Sequence, residues 1–205
     1  MTAKTLLRTT LLALTGLSLC GCVSSRPVPA TAPAYETVAR DPRRNTTQAQ
    51  LDNRRGLSLL SRGKLGDAEA AFASALTADA TYGPAHNNLG QVYFAQKQFY
   101  KAALEFAAAA QLMPQRPEPQ NNLGLIYENV GKLDKAVEAY TRALVLAPDN
   151  VDVLGNLCRA KVRRNDHDDA LKEQLRQLLM RDTRPAWINW AKERLALLGG
   201  GQVQN

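Results

Sequence analysis

The chain is poor in cysteine, histidine and aromatic residues. Its 205 residues include three Cys, two His and only 6% aromatic side chains. Three cysteines exclude a disulfide-stabilised small domain, which has many more in a short chain. Thirteen glycines and ten prolines exclude a collagen-like polymer, and an apolar fraction of 45% excludes a wholly disordered chain. The length suits one domain with or without a tail, and 31 alanines favour closely packed helices.

The sequence also lacks the motifs of the common enzyme classes. It contains no glycine-rich phosphate loop, no zinc-ligand spacing and no serine nucleophile elbow. Its two histidines are His86 and His167. The segment around His167, from Asn165 to Asp169, has the residue types of a metal cluster, but we interpret it as a polar turn that caps the following helix. We therefore predict a protein that is not an enzyme and holds no metal.

The apolar stretch at the N-terminus is too short for a transmembrane helix. It runs from Leu11 to Leu19, whereas a membrane span needs about 20 predominantly apolar residues. Lys4 and Arg8 precede this stretch, and residues 19–22 (LCGC) end it. This order is typical of a signal peptide. The segment resembles a bacterial lipoprotein signal, in which a small residue precedes the acylated cysteine. The alternatives are an ordinary secreted protein and an uncleaved anchor.

The resemblance to lipoproteins implies that residues 1–21 are removed and that Cys22 carries a covalent lipid. No other cofactor is predicted. Val23 stands where many lipoproteins have the Asp that retains them in the inner membrane, so we expect an anchor on the periplasmic face of the outer membrane. Cys158 would then be the last thiol. We predict that Cys158 is buried and inert, the alternative being a reactive thiol.

A lipidated tether is predicted for residues 22–48. Residues 23–48 contain four prolines and few large apolar side chains, so they cannot bury enough surface to offset the entropy of folding. At about 3.1 Å per residue, a fully extended tether would reach roughly 80 Å.

The positive charge of the chain lies away from its centre. Removal of residues 1–21 reduces 26 basic residues to 24 against 19 acidic ones, so the net charge falls from +7 to +5. Residues 83–150 contain six basic and six acidic side chains. We therefore predict no nucleic-acid partner. A local basic cluster is interpreted as a solvated face, or alternatively as a surface for anionic lipid headgroups; it comprises Arg159, Lys161, Arg163 and Arg164.

The body of the chain is an internal repeat with a period of about 34 residues. The segment Asn87–Gly90 (NNLG) recurs as Asn121–Gly124, and the match continues at the same offset. The further pairs are Tyr93 with Tyr127, Ala102 with Ala136, Phe106 with Tyr140, Ala109 with Ala143, and Pro114 with Pro148. A weaker third copy places Gly56, Leu59, Ala68, Phe72 and Ala75 at the equivalent positions. These positions resemble the tetratricopeptide repeat (TPR).

The resemblance implies an all-α fold, a TPR solenoid of antiparallel helix pairs. We assign three clear repeats within 49–150, at 49–82, 83–116 and 117–150, followed by a degenerate helix pair and a C-terminal capping helix within 151–205. The recurring glycine of each first helix is expected to let the facing helix approach closely. Pro185 begins the capping helix, which runs from Ala186 to Leu198. Trp187 and Trp190 are predicted to pack in it, the alternative being a ligand platform.

By resemblance to TPR proteins, certain positions of each first helix line a concave groove. One position gives Asn53, Asn87 and Asn121, a ladder whose amides can donate to and accept from a peptide backbone. The other predicted groove residues are Leu57, Leu60, Gln91, Phe94, Leu125 and Glu128. This surface predicts an apolar peptide or helix as ligand, the alternative being the protein's own tail or cap. The basic residues of the family's carboxylate clamp are missing here.

Lipidation, tether and small solenoid together resemble the pilotin-like lipoproteins of pilus and secretion systems. The layout is most similar to the TPR lipoprotein of the tight-adherence (Flp/Tad) pilus. The resemblance implies a protein that binds an outer-membrane secretin and assists its assembly. The alternatives are a general cell-envelope adaptor and a regulator of a peptidoglycan or outer-membrane assembly complex.

Overall fold

The computed structural model describes residues 44–199. The predicted signal peptide, Cys22 and most of the tether lie outside these residues. Within them the structure contains nine helices and no strand. The helices are α1 (Thr46–Ser61), α2 (Leu65–Ala78), α3 (Gly83–Ala95), α4 (Phe99–Leu112), α5 (Pro117–Asn129), α6 (Leu133–Leu146), α7 (Val151–Arg164), α8 (Asp169–Arg181) and α9 (Pro185–Gly199). Over residues 44–199, every helix is too short or too polar to cross a bilayer.

Consecutive helices pack as pairs, and each pair packs on the next. The pairs are α1 with α2, α3 with α4, α5 with α6, and α7 with α8, while α9 packs against α8. The first helices of successive pairs also contact one another along the row α1, α3, α5 and α7. The helices α3, α5, α7 and α9 begin at residues 83, 117, 151 and 185, so their starts follow the constant period of the sequence repeat. The predicted all-α TPR solenoid is confirmed.

The repeating glycine of each first helix lies against an aromatic ring of the second helix, as predicted. A Cβ atom added to Gly56 would lie 2.5 Å from the Phe72 ring, and one added to Gly90 would lie 2.7 Å from the Phe106 ring. Gly124 meets the Tyr140 ring in the same way. The small residue therefore sets the distance between the two helices of each pair.

The backbone conformation of the turn within each helix pair repeats with the same 34-residue period as the sequence. Gly63, Lys97, Gly131 and Asn165 occupy the same position in successive pairs, and their φ angles are 73°, 60°, 74° and 71°. Glycine adopts this left-handed conformation freely, and asparagine does so more readily than most other residues. The fourth pair thus keeps the turn geometry of the repeats although its sequence has diverged.

The first helix begins at Thr46, three residues before the predicted start of the first repeat at residue 49. Asn45 caps α1 by accepting a hydrogen bond from the Gln48 amide. Arg44 and Thr46 both donate to the buried carboxylate of Asp79, at 2.9 and 2.7 Å. Burial would raise the pKa of Asp79, but the hydrogen bonds lower it to about 2. These contacts join Arg44 and Thr46 to the folded body, and residues 46–48 belong to α1, which corrects the predicted tether boundary at residue 48.

Candidate partner-binding groove

The three predicted ladder asparagines lie on α1, α3 and α5, and each is hydrogen-bonded to the next repeat. In every case the side-chain oxygen accepts a hydrogen bond from an asparagine Nδ2 on the following first helix. Asn53 is 5% exposed, whereas the other two acceptors are half-buried. The pairs are Asn53 with Asn88 at 2.9 Å, Asn87 with Asn122 at 3.0 Å, and Asn121 with Asn156 at 3.0 Å.

The asparagine ladder therefore has a role in joining repeats, which the sequence analysis missed. The sequence signal of this role is a pair of asparagines 35 residues apart, because each acceptor is followed 35 residues later by its donor. One acceptor site of each ladder amide is used internally, while the Nδ2 donors can serve a partner. Partner binding by Asn53, Asn87 and Asn121 stays a prediction.

The predicted apolar groove residues are accessible to different degrees. Leu57 is 42% exposed and Gln91 is exposed, whereas Leu60, Phe94 and Leu125 are half-buried. The Phe94 ring packs at 5.7 Å from the Phe99 ring, between centroids. The first helices thus present apolar side chains with a free face next to the ladder.

Glu128, predicted as a partner-binding groove residue, does not lie open in the groove but is enclosed by side chains of α6 and α7. Its side chain is buried, and the residue is only 4% exposed. Four donors lie 2.9 Å from its carboxylate oxygens: Nε and Nη2 of Arg159, Nη1 of Arg163 and the hydroxyl of Tyr140. Burial would raise the pKa of Glu128, but these donors, three of which belong to the two charged guanidinium groups, hold it below its usual value.

The basic cluster of α7 is largely used in ion pairs. Arg159 and Arg163 bind Glu128, while Arg164 pairs with Asp166 at 2.6 Å and with Asp134 at 3.2 Å. Three of its four cations therefore have carboxylate partners. The sequence did not reveal this because the partners lie 2 to 35 residues away, partly on another repeat.

Cys158 and the capping helix have the structural roles predicted for them. The Cys158 thiol is buried, and burial raises its pKa to about 12, which makes the reactive thiolate scarce. Trp187 and Trp190 pack against the cluster formed by Leu154, Cys158, Leu171 and neighbouring residues. The polar turn after α7 caps the N-terminus of α8, as predicted, because Asp168 accepts a hydrogen bond from the Leu171 amide.

His86 is expected to make the stability of the protein depend on pH. Its Nδ1 lies 2.7 Å from the Glu105 carboxylate and its Nε2 lies 3.1 Å from the Ala80 carbonyl. The bond to Glu105 is the main reason that the pKa of His86 is raised. A raised folded-state pKa stabilises the protein below the unfolded pKa near 6.5, and the effect disappears as pH rises through the folded pKa.

Urea unfolding between pH 5.5 and 8.5 measures this contribution. We expect His86→Gln to lose more stability at the acidic end than at the alkaline end. His167→Gln removes the other histidine and serves as the control. An equal loss of stability for His86→Gln at every pH would contradict the proposed pH-dependent contribution of the His86–Glu105 bond.

Comparisons with known proteins identify the repeats. Sequence models of the tetratricopeptide repeat match residues 53–117 and 117–150. No curated protein matches the chain.

Several solved structures are similar. The first TPR of Spaghetti (RPAP3) bound to the HSP90 peptide SRMEEVD has a TM-score of 0.59 and 21% identity, covering 61% of this chain and 99% of that one.

Two further solved structures share the fold. YrrB, described as a TPR protein with an unusual peptide-binding site, has a TM-score of 0.66 and 17% identity, with 78% of this chain and 81% of that chain covered. MamA from Desulfovibrio magneticus RS-1 has a TM-score of 0.59 and 23% identity, with 64% and 74% covered. The regularly repeated helix pairs and the repeat matches lead to one conclusion. Residues 53–150 of this chain are tetratricopeptide repeats.

Proposed function

We propose that the chain is an interaction protein that binds an extended segment or a helix of a protein partner along its first helices. The observation that carries this proposal is the row of accessible apolar side chains next to amide donors. Leu57 is exposed on this row, Phe94 and Leu125 are half-buried, and the ladder asparagines recur beside it every 34 residues. Such a surface suits a peptide whose backbone carbonyls accept hydrogen bonds while its apolar side chains are buried. Two TPR structures with a similar fold are described as binding peptides.

We further propose that this binding occurs at the outer membrane and that the partner is the secretin of a Flp/Tad-type pilus or a related secretion system. The lipoprotein-like signal, the proline-rich segment and the small solenoid support this finer assignment through their resemblance to pilotin-like lipoproteins. The mechanism needs no catalysis. A lipid on Cys22 would concentrate the solenoid at the membrane, and binding would stabilise the folded or assembled form of the partner by mass action.

The groove is tested by substitution of its most exposed leucine. Leu57→Glu places a charge on the groove while leaving the core intact, because the side chain is 42% exposed. Val145→Glu is the matched control, since Val145 is an exposed apolar residue of the second helix α6. Affinity capture from membranes with mass spectrometry measures the amount of partner recovered. We expect wild type and Val145→Glu to recover the same amount, and Leu57→Glu to recover at least about tenfold less.

The identity of the captured protein decides between the proposed systems. Recovery of a secretin supports the pilotin assignment, and its absence refutes it. Recovery of cell-wall or outer-membrane assembly enzymes instead would favour the general envelope adaptor. Undiminished capture by Leu57→Glu would contradict the groove itself.

The lipid anchor is tested by Cys22→Ser. We expect this variant to move from the membrane to the soluble fraction, because anchoring would depend on the acyl chains of that one residue. Cys20→Ser is the matched control, since it alters the neighbouring cysteine and is expected to stay in the membrane. Membrane fractionation and metabolic labelling with palmitate report the result. Unchanged membrane retention of Cys22→Ser would reject the anchor.

A further inference from the structure

The asparagine ladder ends in an aromatic pocket at the fourth helix pair. The ladder position of α7 is Gly155, which follows Asn121 by one period of the repeat. A Cβ atom at Gly155 would lie 3.1 Å from the indole of Trp187, so the ring occupies the space next to this position. The Trp190 ring packs edge-on against Trp187, with centroids 5.5 Å apart and an interplanar angle of 82°.

We name as the aromatic pocket the concavity of about 230 Å³ that is lined by Arg159, Ala186, Trp187 and Trp190. A cavity of about 150 Å³ can hold a benzene ring, whereas small-molecule sites measure about 300–1,000 Å³. The pocket therefore has room for one large side chain. Both indoles are half-buried, so part of each ring remains accessible. Arg159 follows the groove residue Leu125 by one period of the repeat, which makes the pocket a continuation of the groove.

The side chains on the Arg159 side of the pocket carry an excess of positive charge. The single carboxylate of Glu128 is shared by two guanidinium groups, those of Arg159 and Arg163. The two side chains are 34% and 50% exposed, whereas that of Glu128 is 5% exposed. Within residues 44–199, Nη1 of Arg159 and both Nε and Nη2 of Arg163 have no hydrogen-bond acceptor. These N–H groups can bind a carboxylate without displacing Glu128.

A second arginine touches the pocket's indole but does not line the pocket. The guanidinium of Arg184 lies 5.6 Å from the Trp187 ring centroid, and that of Arg159 lies 5.7 Å from it. Arg184 is paired with Asp152 and Asp182, both at 2.6 Å. These two carboxylates more than balance its charge, so the available cationic donors belong to Arg159 and Arg163.

We propose that the aromatic pocket holds a large apolar side chain of an acidic partner segment, and that a neighbouring carboxylate of that segment binds Arg159 and Arg163. The proposal rests on the function proposed above and specifies the chemistry of the partner. The ladder binds any peptide backbone, because every residue but the last offers a carbonyl. The pocket selects an apolar residue next to an acidic one and so fixes where the segment lies along the groove.

The tryptophans themselves report on this site, because Trp187 and Trp190 are the only two in the chain. The full chain is titrated with 3-phenylpropionate, which combines an aromatic ring with a carboxylate, while tryptophan emission is recorded. The matched probes are the cation 3-phenylpropylammonium, which keeps the ring, and propionate, which keeps the carboxylate. We expect a saturable change with 3-phenylpropionate and at least about fivefold weaker binding of either matched probe.

Substitution of the lining arginine separates charge from shape. Arg159→Gln is expected to reduce the affinity for 3-phenylpropionate to that for the cation, while Glu128 keeps its bonds to Arg163 and Tyr140. Arg176→Gln is the control, because Arg176 is an exposed residue of α8 outside the pocket. Equal affinity of the wild type for the anion and the cation, or no saturable response to any probe, would overturn the proposal whether or not Arg159→Gln folds.

A peptide-display selection on the full chain tests the pocket proposal separately from the proposal that the groove binds a peptide. Selected peptides that bind wild type but not Leu57→Glu, and that carry an acidic residue beside a large apolar one, support both. Peptides that depend on Leu57 but lack such a pair and leave tryptophan emission unchanged would overturn the pocket and leave the groove intact. If no selected peptide depends on Leu57, the groove is refuted, and the probe titration alone then decides the pocket.

Discussion

Replacement of Asn53, Asn87 and Asn121 together by alanine is expected to lower the free energy of unfolding by about 3–5 kcal/mol. Each substitution removes one hydrogen bond between neighbouring first helices. A net hydrogen bond contributes about 0.5–1.5 kcal/mol, and a buried donor left without a partner costs about 1–3 kcal/mol. We expect the largest single loss at Asn53, because both it and its donor Asn88 are buried.

Urea unfolding of the single and triple variants measures this effect. Asn129→Ala is the matched control: within residues 44–199 its exposed amide bonds only to the Leu125 carbonyl of its own helix, so we expect a change within about 0.5 kcal/mol. A triple variant as stable as Asn129→Ala would contradict the role of the ladder in joining repeats.

The donor side of the ladder separates stability from partner binding. Asn88→Ala breaks the same hydrogen bond as Asn53→Ala but leaves Asn53 in the groove. Comparable losses of stability are expected from the two substitutions, and a double-mutant cycle gives the coupling energy of the pair. If Asn53 also contacts the partner, only Asn53→Ala should weaken partner capture under conditions where both variants are folded.

Replacement of Glu128 by alanine is expected to lower the free energy of unfolding by about 2–3 kcal/mol at neutral pH. Loss of one partner of a fully buried ion pair costs about 3–5 kcal/mol. We expect less here because Arg159 and Arg163 are partly exposed and can be hydrated when Glu128 is removed. The buried hydroxyl of Tyr140 would lose its acceptor.

The pH dependence and a surface control make this prediction specific. The pKa of Glu128 lies below its usual value of 4.5, so its contribution is present above that pH and is lost as pH falls through the folded-state pKa. Glu138→Ala is the control: Glu138 is exposed and pairs with Arg142 on the same helix, so we expect a change below about 0.5 kcal/mol. Equal stability of Glu128→Ala and Glu138→Ala in chemical denaturation would refute the stabilising role of the Glu128 ion pairs.

The helices and their packing within each pair could be predicted from the sequence. The recurrence of Asn87–Gly90 at Asn121–Gly124 set the period, and first helices begin at that constant interval from residue 83 to residue 185. The complementarity of Gly90 and Phe106 was readable because both residues belong to one repeat. Even the diverged fourth pair keeps the left-handed turn at Asn165. These features depend on interactions within a single helix pair, so the local sequence carries them.

The chemistry of the candidate groove was decided by contacts between repeats. Glu128 reads as a groove carboxylate within its own repeat, but Arg159 and Arg163 approach it from 31 and 35 residues away and enclose it. Gly155 occupies the ladder position of the fourth pair, and Trp187 of the capping helix fills the space beside it. The sequence by itself therefore determined the solenoid, whereas only the tertiary structure decided which polar groups remain free for a partner. The physical reason is that the stacking of one helix pair on the next sets these distances, and no position within a single repeat records that stacking.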